Sequence, residues 1–141
     1  MAHLDLLRDW FRRVWIAGDV DAIGDYFAPG TEATGILPGA GLGPQDFAEF
    51  VPALRQHLRN PEIVFLRQME TADCAWALVE VRAQAALDLT PIRFEGQAMI
   101  RLEAGRIVEA HNHFDLVTLF ETLGLLPPDT IALCLAGERI G

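Results

Sequence analysis

The stretch CAWALVEVRAQAALDLTPIRFEGQAMIRLEAGRIVEAHNHF, Cys74 to Phe114, decides the fold. Its apolar residues recur at every second position. Ala75, Ala77, Val79, Val81, Ala83 and Ala85 fall on one side, and Trp76, Leu78, Glu80, Arg82 and Gln84 on the other. Such alternation marks a β-strand with one covered face. Ile92 to Glu103 repeats it, with Phe94, Gly96, Ala98, Ile100 and Leu102 together. Arg106 to Phe114 follows as another strand, and Ala104-Gly105 between the two reads as a tight turn. Upstream, Ile63 to Thr71 reads as a strand as well, so an antiparallel meander is expected.

Before Pro61 the period is about 3.6 rather than 2. Leu4, Leu7, Phe11, Val14 and Trp15 predict a helix over His3 to Ala17. Gly18 can stop it, and Asp19 can cap a short second helix, Val20 to Phe27. A loop rich in Gly and Pro runs from Ala28 to Gly43, with a short strand around Glu32 to Leu37. Gly35, Gly39, Gly41 and Gly43 lack the spacing and the lysine of a phosphate cradle, so the loop reads as a mobile flap. Pro44 opens a third helix with a stripe of Phe47, Phe50, Val51, Leu54 and Leu58, ended by Asn60-Pro61. Past the meander, Leu116, Leu119, Phe120 and Leu123 form a last short helix, closed by Gly124 and Pro127-Pro128. The chain thus divides into one domain, 1–128, and a C-terminal tail, 129–141, with helical potential. Helices segregated from an antiparallel sheet give an α+β architecture. With the helices packed on its concave face, a long curved sheet closes into a half-open cone around an apolar cavity.

Of the 141 residues, 51% are hydrophobic. Counting the 12 glycines and leaving out the single tyrosine raises this to roughly 59%, against a usual 45–50%. The surplus should line a pocket, a subunit interface or both. A net charge of −9 argues against nucleic acid as a partner. The longest stretch without charge, Ala33 to Gln45, is full of Gly and Pro, so no membrane span is expected. The N-terminus MAHLDLLRDW is acidic where a secretory leader is basic, which predicts a cytoplasmic protein. Cys74 and Cys134 lie far apart in apolar contexts and read as buried thiols, not a disulfide. All eleven basic residues are Arg, so a lysine Schiff base is excluded.

Two segments carry a resemblance. AGDVDAIGDYFAP, Ala17 to Pro29, and FEGQAMIRLEAGRIVEAHNHFDLVTLFETLGLLP, Phe94 to Pro127, resemble the nuclear-transport-factor-2-like (NTF2-like) superfamily, and most of all its SnoaL-like polyketide cyclase branch. The shared habit is an Arg-x-x-x-Gly-Arg-Ile-x-Glu run, an Asp six residues on, and a Leu-rich helix ending Leu-Gly-x-Leu-Pro. The resemblance covers most of residues 5 to 127 and not the tail. It implies the NTF2-like cone, a homodimer, and a small-molecule enzyme with acid/base chemistry on an apolar, carbonyl-containing ligand. Aldol-type cyclisation, isomerisation and dehydration all occur among its relatives. Cyclases of this branch are thought to use an Asp near the end of the last strand, a position that Asp115 matches. The superfamily also holds non-catalytic ligand-binding and dimeric interaction modules, so fold does not select between the two readings.

His111, His113 and Asp115 stand two residues apart, so alternation points them the same way, together with Ile107 and Glu109. In a pocket, desolvation would raise the Asp115 pKa toward a useful range, and a histidine could share the proton or hold a substrate oxygen. The alternatives are a helix N-cap for Asp115 and an outer sheet face for the histidines. Gly105, then His111-x-His113, matches the opening of the cupin metal signature. The carboxylate expected next falls at Val117 or Thr118, and His111 and Asp115 lie about 13 Å apart along a strand. No metal and no cofactor are expected. Glu80 and Arg82, near Trp76, either polarise a ligand carbonyl or pair on a sheet face, and Gln97, Met99 and Arg101 pose the same question. Trp10, Trp15, Tyr26, Phe47 and Phe50 serve as cavity wall or plain core. The candidate ligand contacts are therefore Trp15, Tyr26, Phe50, Trp76, Glu80, Arg82 and Gln97, and the expected ligand is a small apolar molecule.

Overall fold

Leu4, Leu7, Phe11 and Val14 recur three or four residues apart and are all buried, which makes one apolar stripe. In the computed structural model, which describes residues 2–141, that stripe belongs to α1 (Ala2–Trp10) and to the π-helical turn Phe11–Ile16 that continues it. Gly18, at φ +73°, ends the run. Asp19 does not cap the next segment: its carboxylate pairs with Arg13 at 3.4 Å, and Val20–Asp25 is a short 3₁₀ helix. Next come β1 (Ala33–Leu37), β2 (Ala40–Leu42) and α2 (Pro44–Arg55), with Pro44 in its first turn. The Gly43 N–H donates to Asp46 at 2.9 Å there.

The meander follows as β3 (Leu58–Glu70), β4 (Cys74–Ala85), β5 (Pro91–Glu103) and β6 (Arg106–Phe114). Ala104 and Gly105 both have positive φ, the conformation a two-residue hairpin turn of this kind needs. Helices α3 (Leu116–Thr122) and α4 (Thr130–Leu135) complete the chain. The sheet is curved and unclosed, in the order β2-β1-β6-β5-β4-β3. Neighbours are antiparallel except β1 and β6, which run parallel with Ala33 opposite Ala110 and Thr34 opposite His111.

Three expectations are corrected here. The third helix stops at Arg55, not at Asn60-Pro61, and Leu58 already belongs to β3. Asn60 adopts φ +51° where the register shifts between Arg59 and Glu62, so this pair marks a bulge in an edge strand, where proline is tolerated. The glycine-rich segment is a β1–β2 hairpin rather than a flap. Gly35 fits that hairpin against β6: a Cβ there would lie 1.8 Å from the Asn112 carbonyl oxygen, and its φ is +87°. Neither thiol is buried, since Cys74 is half-buried and Cys134 exposed.

The core lies between the helices and the inner sheet face, where Ala75, Ala77, Val79, Ala98 and Ile100 meet Leu4, Leu7 and Phe47. At the far end α3 brings Leu119 onto Val81, Ile92 and Phe94. Among the described residues no helix is long and apolar enough to cross a membrane.

Candidate functional site

The register of β6 decides what faces the interior. Arg101 pairs with Glu109, but Leu102 pairs with Ile107, so Val108 is an extra residue in the ladder. Such a bulge changes which face the following side chains occupy. Ile107 and Ala110 are buried, whereas His111 and His113 are exposed. Ile107 therefore does not share a face with Glu109, His111 and His113, contrary to simple alternation. Asn112, between the histidines and opposite buried Ala98, falls on the inner side of β6 by register and borders both the interior and the outer sheet face.

A cavity of about 60 Å³ opens between helices and sheet, with room for several water-sized groups. Its walls include Phe11, Trp15, Phe50, Leu54, Val81, Phe94 and Phe114. Trp15 and Phe50 meet edge to face, with ring centroids 5.8 Å apart. Gly96 makes room for the Phe114 ring, since a Cβ there would stand 2.1 Å from it. Arg55 is the charged residue of this wall, and its head is turned to the helix end, where Nε donates to Trp15 O at 2.9 Å and Nη2 to Ile16 O at 3.0 Å. A smaller inner lobe of about 20 Å³ reaches Trp10, Phe27, Phe47 and Asn112. Trp15 and Phe50 are thus placed on the cavity.

The other candidates lie elsewhere. Tyr26 is buried against Trp10, and its hydroxyl donates to Asp9 at 2.5 Å. Burial, then that bond to a carboxylate, pushes the phenol up to about 12, and the same bond holds the Asp9 carboxyl below its usual range. Trp76, Gln97, His111, His113 and Asp115 all line a broad open groove of about 1090 Å³ on the outer sheet face. Trp76 Nε1 donates to Gln97 at 3.1 Å. Glu80 accepts from Arg82 at 2.5 Å and lies 3.8 Å from Arg93, an ion-pair cluster on that face that lowers the Glu80 pKa.

Asp115 caps α3. Its Oδ1 accepts from the Thr118 N–H at 3.1 Å and its Oδ2 from the Thr118 hydroxyl at 2.5 Å. His111 stands in a polar chain: Nε2 lies 2.7 Å from Glu109, Nδ1 lies 2.7 Å from the Thr34 hydroxyl, and Glu109 also accepts from Arg101 at 3.0 Å. These contacts, His111 first and Arg101 second, hold the Glu109 carboxyl below its usual range. Among the described residues no three His, Cys, Asp or Glu side chains converge as metal ligands.

The SnoaL-like domain family matches residues 7–110. The chain belongs to that family. No protein with a curated description matches it. Several solved structures share the fold of this SnoaL-like protein. A candidate polyketide cyclase from Acidithiobacillus ferrooxidans has a TM-score of 0.71 at 18% identity, over 89% of this chain and 96% of that one. IdmH of Streptomyces antibioticus, also a candidate polyketide cyclase, gives 0.72 at 18% identity, over 85% and 96%. A protein from Catenulispora acidiphila with a ketosteroid isomerase-like fold gives 0.69 at 14% identity, over 84% and 92%. At such identities the likeness is one of fold.

The cavity residues that alternation misses are Asn112 and Phe114, while Val81 falls on the covered face but is not singled out as a ligand contact. Val81 and Phe94 carry a strand signal; nothing local announces the bulge that sets Asn112 on the inner side of β6.

Proposed function

We propose that this SnoaL-like protein binds a small, apolar, uncharged molecule in the cone, as a cytoplasmic ligand-binding module that pairs with a second copy of itself. The observation that carries the reading is the cavity wall, aromatic and aliphatic, with no carboxylate or imidazole among its residues. A proton-transfer site needs such a group within hydrogen-bond reach of the ligand. Free thiols at Cys74 and Cys134 fit a reducing compartment. The test is binding of α-methylstyrene or acetophenone, followed by calorimetry and by intrinsic tryptophan fluorescence, to which Trp15 in the cavity wall contributes. Saturable binding is expected. Val81→Phe, which fills the cavity, should weaken it at least tenfold without loss of the far-ultraviolet circular dichroism. Failure of both probes to bind would overturn the reading.

A second reading keeps acid/base catalysis, with aldol-type cyclisation, isomerisation or dehydration as the reaction. It is favoured by one observation: His111, His113 and Asp115 line a single groove together with Trp76 and Gln97. Turnover of a polyketide-like carbonyl substrate, abolished by Asp115→Ala in a folded protein, is the result that would establish it.

A further inference from the structure

The two lobes of the cavity share Phe11, Trp15, Ile36 and Phe114, so they adjoin across these side chains and differ in size. The outer lobe is hydrocarbon and aromatic. The inner lobe holds about one water-sized group. Apart from the indoles of Trp10 and Trp15, its one polar side chain is Asn112. An amide offers two donors and an acceptor. The hydrogen bonds of Trp76, Gln97, His111 and Asp115 are made on the outer face, and none of them involves the Asn112 amide. No cation turns its head into the cavity, because Arg55 is held by the carbonyls of Trp15 and Ile16.

We propose that Asn112 is the recognition group of the cone, and that its ligand is uncharged, largely hydrocarbon, and carries one carbonyl or hydroxyl oxygen at its leading end. This rests on the cavity-binding reading above and adds the ligand's chemistry. The size of the inner lobe admits an oxygen and excludes a ring. Apolar walls without a counter-charge exclude a carboxylate, whose desolvation nothing would offset.

The experiment compares acetophenone with α-methylstyrene, which has the same shape with CH₂ in place of the carbonyl oxygen. Dissociation constants are measured by calorimetry for the wild type, Asn112→Leu and Asn112→Asp. The ratio of the two constants should move about tenfold toward the alkene in Asn112→Leu, the size of one lost hydrogen bond. Asn112→Asp keeps the shape but loses the donors, and should move the ratio the same way. Benzoate should not bind any of the three. An unchanged ratio in both variants, or benzoate binding as well as acetophenone, would overturn the role of Asn112 while leaving the binding reading intact. If neither neutral probe binds, the cavity reading falls and this inference with it. The second variant keeps the test decisive should Asn112→Leu fail to fold.

Discussion

Asp115 bonds twice to Thr118, at 3.1 Å to its N–H and 2.5 Å to its hydroxyl, and these contacts predict a structural cost that differs from a catalytic one. Replacing a capping Asp by Ala costs about 1 kcal/mol, while Asn caps nearly as well. Asp115→Ala should therefore lower the melting temperature by about 3–5 °C, and Asp115→Asn by less than half of that. A thermal scan of the two variants checks the order. An acid/base role predicts another ranking in turnover, since Asn cannot exchange a proton and would be as damaging as Ala. Unchanged melting in Asp115→Ala would remove the cap from the account. At this scale alternation groups His111, His113 and Asp115, which do line one groove, and wrongly adds Ile107 to their face. His111 and His113 stand out as titratable groups on an apolar strand, yet the extra residue at Val108 sets them on the outer side of β6 and Asn112 on the inner side by register. A bulge depends on how the partner strand hydrogen-bonds, and no residue type in β6 announces it.

β1 explains the same limit at the level of elements. The meander β3 to β6 is legible because each strand pairs with its sequence neighbour and the two central strands, β4 and β5, carry long period-2 patterns. The helices are legible because Leu4, Leu7, Phe11 and Val14, or Phe47 and Val51, repeat locally. The parallel pairing of β1 with β6 joins residues 76 or more positions apart and leaves one local trace, Gly35. Its φ of +87° and the 1.8 Å approach to the Asn112 carbonyl leave no space for a Cβ against backbone. Gly35→Ala should cost more than about 2 kcal/mol, because strain and clash add. Gly39→Ala meets nothing within 4 Å and should cost only the strain of its φ of +72°, about 1 kcal/mol. Urea unfolding of the two variants gives both numbers. Equal midpoints would show that the β1–β6 contact carries no stability of its own.

For the whole molecule, the apolar surplus in the composition divides between the two sheet faces. The inner face accounts for the core and the cavity. On the outer face Trp76, Met99 and His111 stand in register across three strands, with Leu37 and Met69 exposed nearby. An isologous pairing of two such faces would cover them and would shield the groove that holds His113 and Asp115 from water, which acid/base chemistry there would require. The charge of −9 on each chain opposes that pairing through long-range repulsion, which salt screens. The expected outcome is a dimer by sedimentation equilibrium at concentrations on the order of 10 µM, tightening as ionic strength rises from about 0.05 to 0.5 M. Met99→Glu, which puts a carboxylate at the centre of the face, should give a monomer with unchanged circular dichroism and unchanged binding in the cone. A wild type that stays monomeric at roughly 100 µM would overturn the pairing. The outer groove would then be open to solvent, and the cone would remain the site from which water is best excluded.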